Sequence, residues 1–176
     1  MGDNLTLNLI EDFFKNHGFQ ILPLSSFLKD CSLPKGFYPE KKILPSFQKY
    51  ILDSAEVGIN LLNTISRFDV GQSAVVSSKL VYAIEGQEGT DCMIDRAGSI
   101  SNKNKLITHP GPVLIKIPKI DQNINLDPPV VGFETVRKCI ENNFSSLVVS
   151  SNGTIIFELK KIMNLINKKN FVIYVV

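Results

Sequence analysis

Two short stretches of the chain concentrate the residue types needed for hydrolytic chemistry on phosphates. The first reads Glu85-Gly86-Gln87-Glu88-Gly89-Thr90-Asp91-Cys92-Met93. Gly89 allows a backbone to approach a ligand closely, and Thr90 can cap a helix whose free N–H groups face outward. Such a helix end favours anions, phosphate among them. Glu88 and Asp91 place carboxylates beside it, which would repel phosphate unless a divalent cation bridges the charges. Mg²⁺ suits that role, because it takes one or two carboxylates plus substrate phosphate. The same acids also suit a helix N-terminus that binds nothing, where the macrodipole favours them. The pattern lacks the Gly-Lys-Ser/Thr ending of a Walker loop.

The second stretch reads Val113-Leu114-Ile115-Lys116-Ile117-Pro118-Lys119 and continues through Gln122 and Asn125 to Asp127-Pro128-Pro129. Lys116 lies inside an apolar run, where a charged ammonium is costly without a partner. Pro118 keeps the chain extended, so Lys116 and Lys119 could reach one site, and ammonium groups serve phosphate as point charges. Asp127 precedes two prolines, which hold its backbone extended. A plainer reading stays open: Lys116 snorkels from an edge strand, and Asp127 only makes a turn. His17 falls at a helix C-terminus, and His109 precedes Pro110 in a polar loop. Two histidines so far apart argue against a histidine metal site. Cys31, Cys92 and Cys139 lack zinc-ligand spacing and suit a reducing compartment.

The elements that must position these residues follow from periodicity. Leu5, Leu9, Ile10, Phe13 and Phe14 form an apolar helical stripe, predicting a helix from Asn4 to Asn16 that stops at His17-Gly18. Phe19 to Leu22 reads as a short strand. Pro23 to Pro45 reads as irregular surface with at most one helical turn. A second helix is expected over Ser46–Ser66, then a hairpin of Ser73–Ser77 and Leu80–Ile84 joined by Ser78-Lys79. A short helix over Thr90–Ala97 should lead into a polar loop, Gly98 to His109. Val113–Ile117 reads as a buried strand, followed by a loop from Pro118 to Gly132. Helices over Phe133–Asn143 and Leu159–Asn167 alternate with strands at Leu147–Val149, Thr154–Phe157 and Phe171–Val176. The class is α/β, a single domain with a mixed sheet and flanking helices.

Composition sets the bounds. A chain of 176 residues has the size of one domain, and 44% hydrophobic with 20% charged residues is globular composition. A net charge of +2 is too even for a protein built to coat nucleic acid. No apolar run approaches the ~18 residues of a membrane span. No secretory signal is evident, so a soluble cytoplasmic domain is expected.

Taken together, Asp69-Val70-Gly71-Gln72, Glu88-Gly89-Thr90-Asp91 with Met93, Val113-Leu114-Ile115-Lys116 with Pro118-Lys119 and Gln122, and Asp127 through Gly132 occur in a specific order. It is the order of the LpxI-type UDP-2,3-diacylglucosamine pyrophosphatases, and the chain resembles the C-terminal domain of that family. Gly2-Asp3 looks like that domain's start, and the resemblance runs to the final strand, over residues 1–176. It implies Mg²⁺-assisted hydrolysis of UDP-2,3-diacylglucosamine to UMP and 2,3-diacylglucosamine 1-phosphate (lipid X) in lipid A biosynthesis. By the same resemblance Asp127, Glu88, Asp91 and Lys116 are the catalytic candidates. Gly89, Thr90, Lys119 and Gln122 would meet the substrate, with Asp127 and Asp91 as metal ligands; Asp127 as base or ligand stays open.

The resemblance also implies a homodimer and an N-terminal α/β domain. Met1 before Gly2-Asp3 leads to the expectation that the chain begins at the domain boundary and meets its other half in trans. The substrate implies at most peripheral contact with the inner membrane. Phe27, Leu28, Leu33, Phe37 and Tyr38 are candidates for acyl contact or for ordinary core. Three departures stand out: nothing in the chain corresponds to the N-terminal domain that the resemblance implies, Asn125 replaces a family arginine, and Pro128-Pro129-Val130-Val131 replaces Leu-Pro-Thr-Ile. Two readings of different class therefore remain, a competent hydrolase domain and a non-catalytic binding or dimerisation module.

Overall fold

Near-continuous runs of Val, Ile and Leu form the centre of the molecule, as expected of parallel strands covered on both faces. The computed structural model describes residues 3–28, 30–40, 43–103 and 110–176. In it β4 (Val113–Lys116), β6 (Ser146–Val149) and β8 (Val172–Val175) pair in parallel. The hairpin β2 (Ser73–Ser77) and β3 (Leu80–Ile84) extends the sheet beyond β4, with β2 antiparallel to both neighbours. A short strand, β1 (Gly36–Tyr38), closes the other edge against β8, giving the order β1-β8-β6-β4-β2-β3.

Side-chain alternation assigns the layers. Ala74, Val76, Val113, Ile115, Val148 and Val172 pack on α2 (Pro45–Ile65) through Ile51, Ala55 and Leu62. Val75, Leu114, Leu147, Ile173 and Val175 face the opposite layer. That layer comprises α3 (Gly89–Lys103), α4 (Phe133–Glu141) and α5 (Leu159–Lys168). Leu114, Ile115, Leu147 and Ile173 are wholly buried, each contributing about 1.5–3 kcal/mol by leaving water. The α/β class and the mixed sheet are as expected.

The differences are local. Phe19–Leu22 forms no strand; instead the Phe19 N–H returns to the Phe14 carbonyl at 3.1 Å and the Gly18 N–H to that of Lys15 at 3.0 Å. With Gly18 at φ +80°, this caps α1 (Asp3–Asn16) as a Schellman turn. Strand β1 arises inside the proline-rich stretch, where an edge position tolerates flanking prolines. A two-residue strand, β5 (Val130–Val131), interrupts the loop expected up to Gly132 and pairs in parallel with β7 (Ile155–Ile156). The helix at Thr90 runs on to Lys103 rather than ending at Ala97. Gly98 lies so close to Asn142 that a Cβ would fall 2.2 Å from its amide oxygen, so this apparent breaker is a packing point against α4. His109 lies outside the described residues. Of the apolar residues in the proline-rich stretch, Tyr38 and Leu33 join the core, Phe37 stacks on Tyr174, and Phe27 is exposed.

Candidate active site

The carboxyl ends of β3, β4, β6 and β8 and the start of β2 share one edge of the sheet. That is the edge at which open α/β sheets bind ligands. Lys116 is the last residue of β4, opposite Ser73 of β2 and Val149 of β6, and only 7% exposed. It follows the same face as Leu114 and so points into the α3 layer. Its Nζ donates to Thr90 Oγ1 at 2.9 Å, and that hydroxyl donates to Glu85 Oε1 at 2.6 Å. The other Glu85 oxygen accepts the Gln72 N–H at 3.1 Å, and Glu85 is itself 8% exposed. Thr90, expected as a helix cap, thus bridges an ammonium and a carboxylate. Gly89 starts α3 at φ +78°, a backbone conformation that favours glycine.

Burial pulls the Lys116 ammonium below the usual lysine pKa, and the charges of Glu85, Asp91 and Asp127 oppose that shift. Asp91 comes from the first turn of α3 and Asp127 from the loop after β4. Of the other three expected catalytic residues, Asp91 and Asp127 therefore act on the Lys116 ammonium. Glu88 is turned elsewhere: it pairs with Arg96 at 2.5 Å, which holds its carboxyl below the usual range.

The loop carrying Asp127 is clasped at several points. Gln122 accepts the Lys119 N–H at 2.9 Å and donates to the Asp127 carbonyl at 2.6 Å and carboxylate at 3.2 Å. The Asp127 N–H returns to the Asn123 carbonyl at 2.9 Å. Asn123 also reaches Glu11 at 2.7 Å and Asn8 at 3.3 Å on α1. Behind Asp127, both prolines are buried and the Pro129 carbonyl accepts from Ile155 N–H at 2.8 Å, anchoring the loop to β7. On its other flank Lys119 pairs with Asp69, and Ser66 Oγ accepts the Ile120 N–H at 2.9 Å. Asp127 itself stays exposed, and Asn125 points no guanidinium toward it, being an exposed asparagine.

Two further oxygens at this edge, Ser73 Oγ and Gln72 Oε1, are buried without a hydrogen-bond partner. Such orphans are rare in folded proteins and are satisfied by water or ligand. Among the described residues no group of three or more His, Cys, Asp or Glu side chains could hold a metal. The donors fit Mg²⁺ shared between one or two carboxylates and phosphate oxygens, not an all-protein cage. Glu85 was not singled out from the sequence. Its one signal is position, directly after the β3 run of Leu80–Ile84 and five residues before Thr90.

The family model for the LpxI C-terminal domain matches residues 42–174. The chain belongs to this family. The UDP-2,3-diacylglucosamine pyrophosphatase LpxI of Caulobacter vibrioides is 27% identical over 164 residues, 92% of this chain. The match takes in 57% of that protein, so the chain spans little more than half the length of this relative. Asp69, Glu85, Thr90, Asp91, Lys116 and Asp127 all fall inside the span matched to the LpxI domain, whereas α1 and β1 precede it. No helix among the described residues is long and apolar enough to cross a membrane.

Proposed function

We propose that this LpxI C-terminal domain hydrolyses the pyrophosphate of UDP-2,3-diacylglucosamine, giving UMP and 2,3-diacylglucosamine 1-phosphate for lipid A biosynthesis. The observation that carries the reading is the nearly buried Lys116 ammonium, set at the carboxyl edge of the sheet with Asp91 and Asp127 acting on it. Water bonds to one phosphorus as the bridging P–O bond breaks, and negative charge gathers on the phosphoryl and leaving oxygens. Lys116 stabilises that charge from a fixed position, so little reorganisation is needed as it forms. The α3 N-terminus, which begins at Gly89 beside Thr90, would add free backbone N–H groups to that stabilisation. Asp127, exposed on a braced loop, holds the water or takes its proton. Bound at Asp127 and Asp91, Mg²⁺ would offset charge on the phosphoryl oxygens.

The substrate's size calls for a second wall, which an N-terminal α/β domain would supply, and the family reading extends to a homodimer with peripheral membrane contact. The test is UMP release from UDP-2,3-diacylglucosamine with Mg²⁺, alone and with an added N-terminal domain, comparing the parent with Asp127→Ala. Release that falls by at least about 10³-fold in Asp127→Ala supports the reading, on the scale of losing a group acting in the transition state. A folded parent that releases no UMP in either setting ends it. One observation favours a binding module instead: Lys119 and Gln122, both expected on phosphate, are engaged by Asp69 and Asp127 within the chain. Tight UMP binding with no turnover in the presence of the N-terminal domain would establish that second reading.

A further inference from the structure

We infer that Glu85 is a positioning residue that, through the Thr90 hydroxyl, fixes where the Lys116 ammonium sits. This inference rests on the reading of Lys116 as the phosphate-facing cation. A threonine hydroxyl has one proton and two lone pairs, whereas an ionised carboxylate only accepts. The Thr90 proton is committed to Glu85 Oε1 at 2.6 Å, so a lone pair must face Lys116 Nζ at 2.9 Å. The chain of bonds has one direction. It uses one of the three ammonium protons and leaves two for oxygens outside the chain.

Glu85 can impose that direction because it is itself held. Its second oxygen accepts the Gln72 N–H at 3.1 Å, and its own N–H donates to the Ser73 carbonyl at 2.9 Å. Gly71 packs against it, since a Cβ there would lie 2.5 Å from its carbonyl oxygen and 2.6 Å from its Cγ. A carboxylate with both oxygens bonded inside the chain and only 8% of its residue exposed is a costly thing to keep unless it orders something. The ionisable groups acting on Lys116 are Glu85 at the end of β3, Asp91 on α3 and Asp127 on the loop. Its strand neighbours Ser73 and Val149 carry no charge.

The decisive experiment follows the Lys116 side-chain NMR signal, identified by its loss in Lys116→Arg, through a pH titration. Glu85→Gln keeps the shape but can accept from only one of Thr90 and Gln72, since its amide nitrogen is a donor. The expected result is a lower Lys116 titration midpoint in Glu85→Gln and in Thr90→Val. Thr90→Ser, which restores the hydroxyl, should match the parent, as should the remote surface change Glu134→Gln. With active enzyme, Glu85→Gln should also lower kcat about tenfold, the scale on which outer-shell partners act. A folded Glu85→Gln with an unshifted midpoint overturns the inference. If that variant does not fold, Thr90→Val against Thr90→Ser decides, and equal midpoints overturn it. Absence of UMP release from the parent bears on the catalytic reading alone, because the lysine titration needs no turnover.

Discussion

Lys116 carries two obligations, as a charge near a phosphate site and as a residue that the strand keeps almost dry. Their conflict shows in pH dependence. Burial lowers its pKa in the folded state below the ordinary 10.5, so between the two values the unfolded chain binds more protons than the folded one. Stability attributable to Lys116 therefore rises with pH through that window. The cost of burying the charge is complete below the folded pKa and gone above 10.5. Urea melts of the parent and Lys116→Met should show the difference moving in favour of the parent as pH climbs from neutral toward 10. A difference that is flat, or moves the other way, would mean that the ammonium is as well solvated as any surface lysine. Of the three acids acting on it, only Glu85 is buried with it, while Asp91 and Asp127 stay exposed.

At the scale of elements, the turn before β2 has no room for a side chain at Gly71. Gly71 lets the chain pass directly over Glu85, and Gly71→Ala would push a methyl into its backbone oxygen and side chain. We expect a loss of about 1–3 kcal/mol, as for overpacking elsewhere, visible as a lower urea midpoint with an unchanged slope. The helices and the central strands were legible because their apolar spacing is long and regular, as in α2 and in the runs ending at Lys116 and Val149. β1 and β5 were not, being three and two residues long and defined by partners far along the chain. The last turns of α3 read as loop because Gly98, Ser99 and Ser101 have weak helix propensity, yet the missing side chain of Gly98 is what lets the helix pack against Asn142. The site divides in the same way. A lysine in an apolar run and an aspartate before two prolines announce themselves in one dimension. Glu85 gains its meaning only when the hairpin returns it beside Gln72 and Thr90.

For the whole molecule, the notable surface is on α1, which touches the Asp127 loop with Asn8 and Glu11 and leaves its apolar stripe in water. Leu9 is 52% and Phe13 58% exposed, with Ile10 and Phe14 alongside. Residues already wet contribute little to folding, so Leu9→Ser with Phe13→Ser should change stability by no more than about 0.5 kcal/mol per site. A larger loss in chemical denaturation would show that this face is covered in solution. The bonds from Asn123 to Asn8 and Glu11 join this wet helix to the loop that carries the exposed Asp127. Lys116 belongs to the opposite kind of structure, the end of a strand bonded on both sides and sealed between helical layers. Openings that release a loop demand far less free energy than those that part a central strand. Any change in the distance between the ammonium and Asp127 is therefore met on the loop's side, where it is opposed by the bonds of Gln122 and Asn123 rather than by parting the sheet.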